Sequence, residues 1–362
     1  MSRLTADSKG GYPMKPLIRI AVAASLSAAV ALPATAQMVD VETMKSGDNW
    51  DLVFGSATAT GSYFAGMSAM ATVLSDLDNV RATATVSPNV ATEVYPQMIR
   101  AERAGGMMTS YDVEMGYKGE GPHSGRDIPV MGWGFVQEAL YNVFVLSSSG
   151  VESVSDLKGS GLRIAATCTP VEENRPERWD QAFSFFHALL TAHDVDPFSD
   201  VEIVPYCTSQ AIDQLGAGNI DGLSASRGLG DGAIMELSTR QDITLLQPVE
   251  DAIPGVEAAF PVYAQHFPPE TYPEITVPDP QLAFFHGVYT VIHRDLPEDL
   301  VYDMTKAFWE NIDVLRRAHP AFQIASIDLA LRGMPAPVHP GALRYYEEMG
   351  VEGVENVRAL AN

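Results

Sequence analysis

The sequence predicts an α/β protein with two parallel-rich lobes around a central cleft. Strand-like and helix-like segments alternate in two successive series, a pattern typical of βαβ units and parallel sheets. The chain has 362 residues, of which 46% are hydrophobic and only 19% are charged. This length and composition favour two folded cores and exclude a disordered chain.

The first series predicts strands and helices from their apolar periodicity. A Ser-Pro-Asn sequence at 87–89 is typical of a helix N-terminus, and we expect Pro96 to kink or shorten the helix that follows. The predicted elements are a strand at 52–54, a helix over 64–74, a strand at 80–86, a helix ending at Ile99 and a weak strand at 107–108.

The second series repeats this plan and then returns to the first lobe. An extended segment at 142–146 leads across, residues 247–281 are read as an extended connection, and Pro297 opens a helix that runs to Leu315. The predicted strands are 162–166, 201–205, 243–246 and 283–292, with helices over 179–190 and from Thr208 to Leu215. We therefore assign residues 37–141 and 282–362 to lobe I, and 142–281 to lobe II.

The first 36 residues resemble a secretory signal peptide. Lys15 and Arg19 precede an apolar run at 20–32, which Pro33 and the small-residue triplet Ala34-Thr35-Ala36 follow. Cleavage near Ala36 would leave a periplasmic protein that begins at Gln37, and an uncleaved membrane anchor is the alternative. Either Met1 or Met14 could be the true start.

The charge of the chain narrows the range of partners. The formal net charge is −23, and removal of residues 1–36, which carry four basic residues and one acidic residue, makes it about −26. Such a surface repels phosphate backbones and acidic lipid headgroups, so we expect no nucleic-acid partner and no membrane-surface role.

Two cysteines follow predicted strands of the second lobe. Cys168 and Cys207 would emerge at the same sheet edge if those strands are neighbours, and an oxidising compartment favours pairing. We predict a disulfide between them; independent buried thiols are the alternative.

Small hydroxyl side chains are concentrated where the predicted strands end. In α/β sheets ligands bind beyond the carboxyl ends of strands, against helix N-termini, and such groups suit a small carboxylate. Arg227 is the best candidate for a bidentate carboxylate clamp. The alternative is that these residues only cap helices. The candidate ligand-binding residues are Thr58, Thr60, Tyr63, Ser87, Asn89, Thr109, Tyr111, Asp112, Thr167, Thr169, Ser226 and Arg227.

Motifs for catalysis, metals and nucleotide cofactors are missing from the sequence. No G-x-x-x-x-G-K-[ST], H-E-x-x-H, G-x-S-x-G or dinucleotide fingerprint occurs, and the eight histidines form no pair at metal-ligand spacing. We therefore assign no catalytic residue, no metal site and no cofactor.

Five blocks in order resemble the TAXI family, the solute receptors of TRAP transporters. They are the segments 54–63 (FGSATATGSY), 154–159 (VSDLKG), 218–222 (GNIDG), 295–302 (DLPEDLVY) and 337–346 (PVHPGALRYY). The resemblance implies a type II periplasmic-binding-protein fold that closes on a small organic acid, often a C4–C5 dicarboxylate such as 2-oxoglutarate or glutamate. It also implies a TRAP membrane permease as partner, and we expect a monomer. An exported enzyme on the same two-lobe fold and a sensor or interaction domain without a transport role are the rival readings.

Overall fold

Residues 38–59, 61–87 and 90–361 are described by the computed structural model. The predicted signal peptide, Thr60 and Asn89 lie outside these residues. Within the described part, no helix is both long and apolar enough to cross a membrane.

Strands and helices alternate along most of the chain. The strands are β1 (Lys45–Ser46), β2 (Asn49–Ser56), β3 (Val80–Val86), β4 (Gly105–Thr109), β5 (Val130–Leu146), β6 (Arg163–Thr167), β7 (Glu202–Pro205), β8 (Gly222–Gly228), β9 (Ile243–Leu245), β10 (Tyr263–His266), β11 (Ile275–Thr276) and β12 (Leu282–His293). The helices are α1 (Ser62–Leu74), α2 (Val90–Ile99), α3 (Ser110–Lys118), α4 (Gln181–Ala192), α5 (Thr208–Gly216), α6 (Gly232–Arg240), α7 (Ile253–Ala259), α8 (Glu298–Glu310), α9 (Ile312–Ala318), α10 (Pro340–Glu348) and α11 (Val354–Ala359).

The described strands form one mixed sheet with a parallel group on each side. Along the main path the order is β1-β2-β4-β12-β5-β8-β6-β7. Strands β2, β3 and β4 are parallel to one another, and so are β6, β7 and β8. The long strands β5 and β12 pair antiparallel between the two groups. The predicted α/β class, with two parallel-rich halves, is therefore confirmed.

Apolar side chains pack into separate cores on the two sides of the sheet. One core draws its buried residues from 41–139 and 288–357. Two further clusters draw theirs from 140–285 and pack around β6, β7, β8 and α4. Because β5 and β12 each contribute to both sides, these two strands are the covalent links between the cores.

Several predicted elements differ from the structure. The segment at 142–146 is the end of β5, which begins at Val130. Residues 247–281 are not merely an extended connection, because they include α7, β10 and β11. The helix predicted from Pro297 to Leu315 is interrupted at Asn311, whose Nδ2 donates to the Ala307 carbonyl at 2.8 Å. Pro96 lies inside α2 without ending it.

Helix α3 begins directly after β4 and carries two of the predicted site residues, Tyr111 and Asp112. Thr109 caps its N-terminus by accepting from the Asp112 N–H at 3.3 Å. The helix ends at Gly119, whose φ of +63° is the left-handed conformation that glycine adopts without strain. Capping thus fixes the first turn of α3, with Tyr111 and Asp112, directly after the end of β4.

Candidate functional site

A cavity of about 380 Å³ lies where the two parallel groups of strands face each other. Its walls come from the carboxyl ends of β4 and β8, the loops after β2, β6 and β7, and the first turns of α1, α3, α4 and α5. This is the position that α/β sheets offer to ligands, and the volume falls in the lower part of the range for small-molecule sites.

Seven predicted site residues line this cavity. They come from both sides of the sheet, as the strand-end argument expects. The seven are Thr58, Tyr63, Thr109, Tyr111, Asp112, Ser226 and Arg227.

Three other predicted residues, Ser87, Thr167 and Thr169, do not line the cavity. Ser87 is buried behind it, where its N–H donates to the Ser56 carbonyl and joins the ends of β2 and β3. Thr167 Oγ1 donates to Asp180 Oδ2 at 2.8 Å, and Thr169 is exposed. In the structure Ser87 and Thr167 support the walls of the cavity from outside.

Sequence reasoning missed several polar residues that line the cavity. Asp180 and Asp231 each precede a helix, so their N-cap pattern could have been recognised. Tyr141 and His123 had no local signal, because their place beside the cavity depends on how distant segments pack. The missed polar residues are His123, Tyr141, Asp180, Gln181, Gln210 and Asp231.

The Asp180 carboxylate caps α4 and joins it to the loop after β6. It accepts from the Phe183 N–H at 2.9 Å, the Cys168 N–H at 2.9 Å and the Thr167 hydroxyl at 2.8 Å. These donors, together with the helix N-terminus, compensate its negative charge.

A disulfide joins Cys168 and Cys207 at the cavity wall. Their Cα atoms are 4.2 Å apart, and the two residues lie in the loops after β6 and β7. Cys207 is the N-cap residue of α5, directly before Thr208. The bond therefore holds the first turn of α5 against the loop that Asp180 stabilises.

Asp112 is the most strongly perturbed carboxyl group of the cavity. Its Oδ2 accepts from Thr109 Oγ1 at 2.9 Å, and Thr109 Oγ1 in turn accepts from Gln181 Nε2. Burial raises the pKa of Asp112 to about 7, the Asp180 charge adds to the increase, and the Thr109 hydroxyl opposes it.

Arg227 is the sole lysine or arginine among the described residues that line the cavity. Its Nε lies 3.6 Å from Asp231 Oδ2, and both side chains are almost fully buried, at 11% and 5% exposure. Asp231 also caps α6 by accepting from the Ala233 N–H at 3.0 Å and the Ile234 N–H at 3.2 Å. The two Nη nitrogens of Arg227 form no hydrogen bond within the described chain, so they are available to a ligand.

Four buried polar atoms around the cavity have no hydrogen-bond partner among the described residues. Burying such groups without a partner is costly, and cavity-lining examples indicate that a polar ligand completes them. Burial also lowers the pKa of His123 to about 4, so this ring is neutral at pH 7. The four atoms are Thr58 Oγ1, His123 Nδ1, Tyr141 Oη and Arg227 Nε.

The two sides of the cavity already touch at one rim. The rings of Tyr111 and Phe260 stack with centroids 4.8 Å apart, and Tyr111 Oη lies 3.3 Å from Ser184 Oγ. The hydroxyl of Ser110 donates to the Pro261 carbonyl at 3.2 Å. Helix α3 of the first core therefore contacts α4 and the segment after α7 directly.

No cluster of three or more His, Cys, Asp or Glu side chains suited to a metal ion occurs in the part of the chain that the structure describes. The polar groups of the cavity are instead arranged as separate donors and acceptors on its two sides.

Comparisons with known proteins were made for the sequence and for the fold. Residues 54–350 match the model of the NMT1-like family. Similar solved structures include the alkanesulfonate-binding protein SsuA from Xanthomonas axonopodis pv. citri bound to MOPS, with 12% identity, 85% of this chain and 93% of that chain covered, and a TM-score of 0.45. A TRAP periplasmic solute-binding protein from Ochrobactrum anthropi has 12% identity, the same coverage and a TM-score of 0.43. A structure from work on glutathione import via GshT of Streptococcus mutans has 9% identity, covers 75% of this chain and 93% of that chain, and has a TM-score of 0.47.

Proposed function

The chain belongs to the NMT1-like family, whose members are periplasmic solute-binding proteins, and we propose that it captures a small organic acid outside the cytoplasm and delivers it to a membrane transporter. The observation that supports this most strongly is the cavity between the two parallel groups of strands. Among the described lining residues, Arg227 supplies the one guanidinium and its Nη nitrogens form no hydrogen bond, and three further buried polar atoms of this lining have no hydrogen-bond partner in the described chain.

The finer assignment follows the resemblance to the TAXI receptors. It makes the ligand a C4–C5 dicarboxylate such as 2-oxoglutarate or glutamate and the partner a TRAP permease. The protein would act as a periplasmic monomer after cleavage near Ala36. Lobe I would comprise residues 37–141 and 282–362, and lobe II residues 142–281.

Binding would be coupled to closure of the two lobes. A ligand held by Arg227 on β8 and by the first turn of α3 touches both cores at once, so it stabilises the closed form more than an open one. The strands β5 and β12 are the natural hinge, because they alone among the long strands run through both cores.

A thermal-shift and calorimetric screen of organic acids on the mature chain, beginning at Gln37, tests this function. A true ligand at 100 times its Kd raises the free energy of unfolding by about 2.7 kcal/mol. NMR of the same mixtures tests for turnover and so detects the alternative, an exported enzyme. The proposal is contradicted if no organic acid stabilises the protein. It is also contradicted if NMR shows that the protein converts a bound acid into a product.

A further inference from the structure

Asp112 is the carboxylate of the cavity whose charge is not compensated. The described lining contains three aspartates: Asp231 pairs with Arg227, and Asp180 takes three hydrogen-bond donors. The Asp112 side chain accepts a single hydrogen bond, from Thr109, and no cation lies within ion-pair distance of it among the described residues.

The groups that face Asp112 provide no positive charge. Its carboxyl interacts with the phenols of four tyrosines from α1, α2, α3 and β5, and with the Asp180 carboxylate beside α4. Arg227, the sole lysine or arginine among the described lining residues, has its Nε 3.6 Å from Asp231 Oδ2. The four tyrosines are Tyr63, Tyr95, Tyr111 and Tyr141.

Two further groups indicate that a polar ligand completes this side of the cavity. Tyr141 is 1% exposed, and its Oη lies near the Thr109 hydroxyl but forms no hydrogen bond of ordinary geometry with a described residue. The Thr109 hydroxyl beside it already serves Asp112 and Gln181. His123, 2% exposed, has an unpartnered Nδ1.

The Asp112 side chain is half-buried at the cavity wall. A carboxylate that is shielded from water and has no cation is retained at a cost unless something pairs with it when the protein functions. We propose that Asp112 is a specificity-determining residue that binds an ammonium group of the ligand while Arg227 binds its carboxylate. This inference rests on the proposed function and deepens it, because it selects amino acids over the oxo acids with the same carbon skeleton.

The two anchors come from different parallel groups of strands. Asp112 is in α3, directly after β4, whereas Arg227 is in β8. The Tyr63 phenol interacts electrostatically with both. A ligand that bears both charges therefore spans the cavity, and the pairing also provides the contact that holds the two sides together.

The titration of Asp112 makes this selection dependent on pH. With a pKa of about 7, the carboxyl is mostly protonated at pH 6 and mostly ionised at pH 8. A free amino acid keeps its ammonium group over this range, so its affinity rises by up to about tenfold. An oxo acid can only accept a hydrogen bond from the protonated carboxyl, so its affinity falls.

Calorimetry with matched ligand pairs at pH 6, 7 and 8 tests the inference. The pairs are L-glutamate with 2-oxoglutarate, L-aspartate with oxaloacetate, and L-alanine with pyruvate. We expect at least one amino acid to bind more tightly than its oxo acid at pH 8, with the opposite pH slopes given above. Asp112→Asn should lose at least tenfold in amino-acid affinity at pH 8 and flatten both slopes. The exposed Asp303→Asn, which removes the same charge from α8, should change neither.

The possible failures are distinguishable. If oxo acids bind as tightly as amino acids at pH 8, or if Asp112→Asn leaves the preference unchanged, the role of Asp112 is overturned while the carboxylate-binding function stands. If no member of any pair or of the wider acid panel binds, the proposed function fails as well. Circular dichroism of Asp112→Asn separates loss of binding from loss of folding.

Discussion

Arg227 lies at the end of β8, where its Nε is 3.6 Å from Asp231 Oδ2 and its side chain lines the cavity. The ion pair with Asp231 already orders the guanidinium. It therefore loses little conformational freedom when a ligand binds. Its charge is what opposes the mean field of a protein with a formal charge of −23.

Removal of the Arg227 charge should weaken binding more than folding. Arg227→Gln is expected to lower carboxylate affinity by about 10- to 100-fold, since hydrogen bonds to charged groups contribute about 1.5–3 kcal/mol. Asp231 keeps its two N-cap bonds, so the fold is retained. Calorimetry measures the loss, and Arg81→Gln, which breaks an exposed pair with Asp51, is the control. Equal affinities for both variants would contradict the assignment.

The hydroxyl of Tyr141 gives a test in which stability and binding separate. Tyr141→Phe should leave the free energy of unfolding without ligand unchanged or slightly higher, because the Oη forms no hydrogen bond of ordinary geometry with any residue that the structure describes. Ligand affinity should fall by about fivefold, the worth of one ordinary hydrogen bond.

The matched control is another buried phenol, Tyr346. Its Oη donates to the Trp133 carbonyl at 2.5 Å and accepts from Trp309 Nε1 at 2.9 Å. Tyr346→Phe should cost about 1–3 kcal/mol of stability and leave affinity alone. Urea unfolding measures the stability of both variants, and calorimetry measures their ligand affinity. If Tyr141→Phe loses as much stability as Tyr346→Phe, the Tyr141 hydroxyl already has a hydrogen-bond partner and the prediction is wrong.

At the scale of elements, the helix starts form the cavity and the disulfide ties two of the loops together. Cys168 and Cys207 are 39 residues apart in the chain, and between them lie α4 and β7. The first turn of α5, with Thr208, Ser209 and Gln210, lines the cavity directly after Cys207.

Loss of this disulfide should therefore affect both stability and binding. A chain-entropy estimate for a loop of this size is about 4 kcal/mol, and measured losses are commonly 2–5 kcal/mol. Replacement of both cysteines by alanine should lower the free energy of unfolding in this range and weaken ligand binding. Urea titrations with and without a reductant provide the check, because the reductant should act on the native protein and not on the variant. The expectation is refuted if thiol labelling shows that the reductant has opened the disulfide of the native protein and its free energy of unfolding is nevertheless unchanged.

Elements with clear periodicity were predictable and others were not. Strand β3 matches its predicted range at both ends. Strand β5 was largely missed because it is buried on both faces, so its residues do not alternate, and Gly132 and Gly134 interrupt the apolar run. Residues 247–281 were misread because their short strands form only by pairing with β9 and β12.

At the scale of the whole molecule, several buried histidines are kept neutral. Burial lowers the pKa of His123, His286 and His339 to about 4, below the usual value of 6.5. The unfolded chain therefore binds more protons than the native one between pH 6.5 and 4, and stability falls as the pH falls through this window. Asp112 acts in the opposite direction, because its raised pKa adds stability at low pH that is lost as the pH rises to about 7.

The sum of these effects predicts an acid-sensitive fold. From pH 7 to pH 5 each of these three histidines contributes a loss of about 2 kcal/mol, and Asp112 returns a similar amount, for a net loss of about 4 kcal/mol. Urea unfolding at the two pH values measures it. His286→Gln should reduce the loss, whereas the exposed His266→Gln should not. A free energy of unfolding that rises toward pH 5 would contradict the prediction.

The sequence by itself determined the α/β class, the polar strand ends and the pair of cysteines, because these depend on local periodicity and on residue type. Only the tertiary structure decided that Thr58 and Tyr111 face the cavity while Thr167 supports its wall. It also brought Tyr141, Asp180 and Asp231 beside Asp112 and Arg227. Those outcomes depend on which strands become neighbours and on the direction of each side chain, and long-range packing sets both. The charge balance of the cavity is thus a property of the fold that no single segment contains.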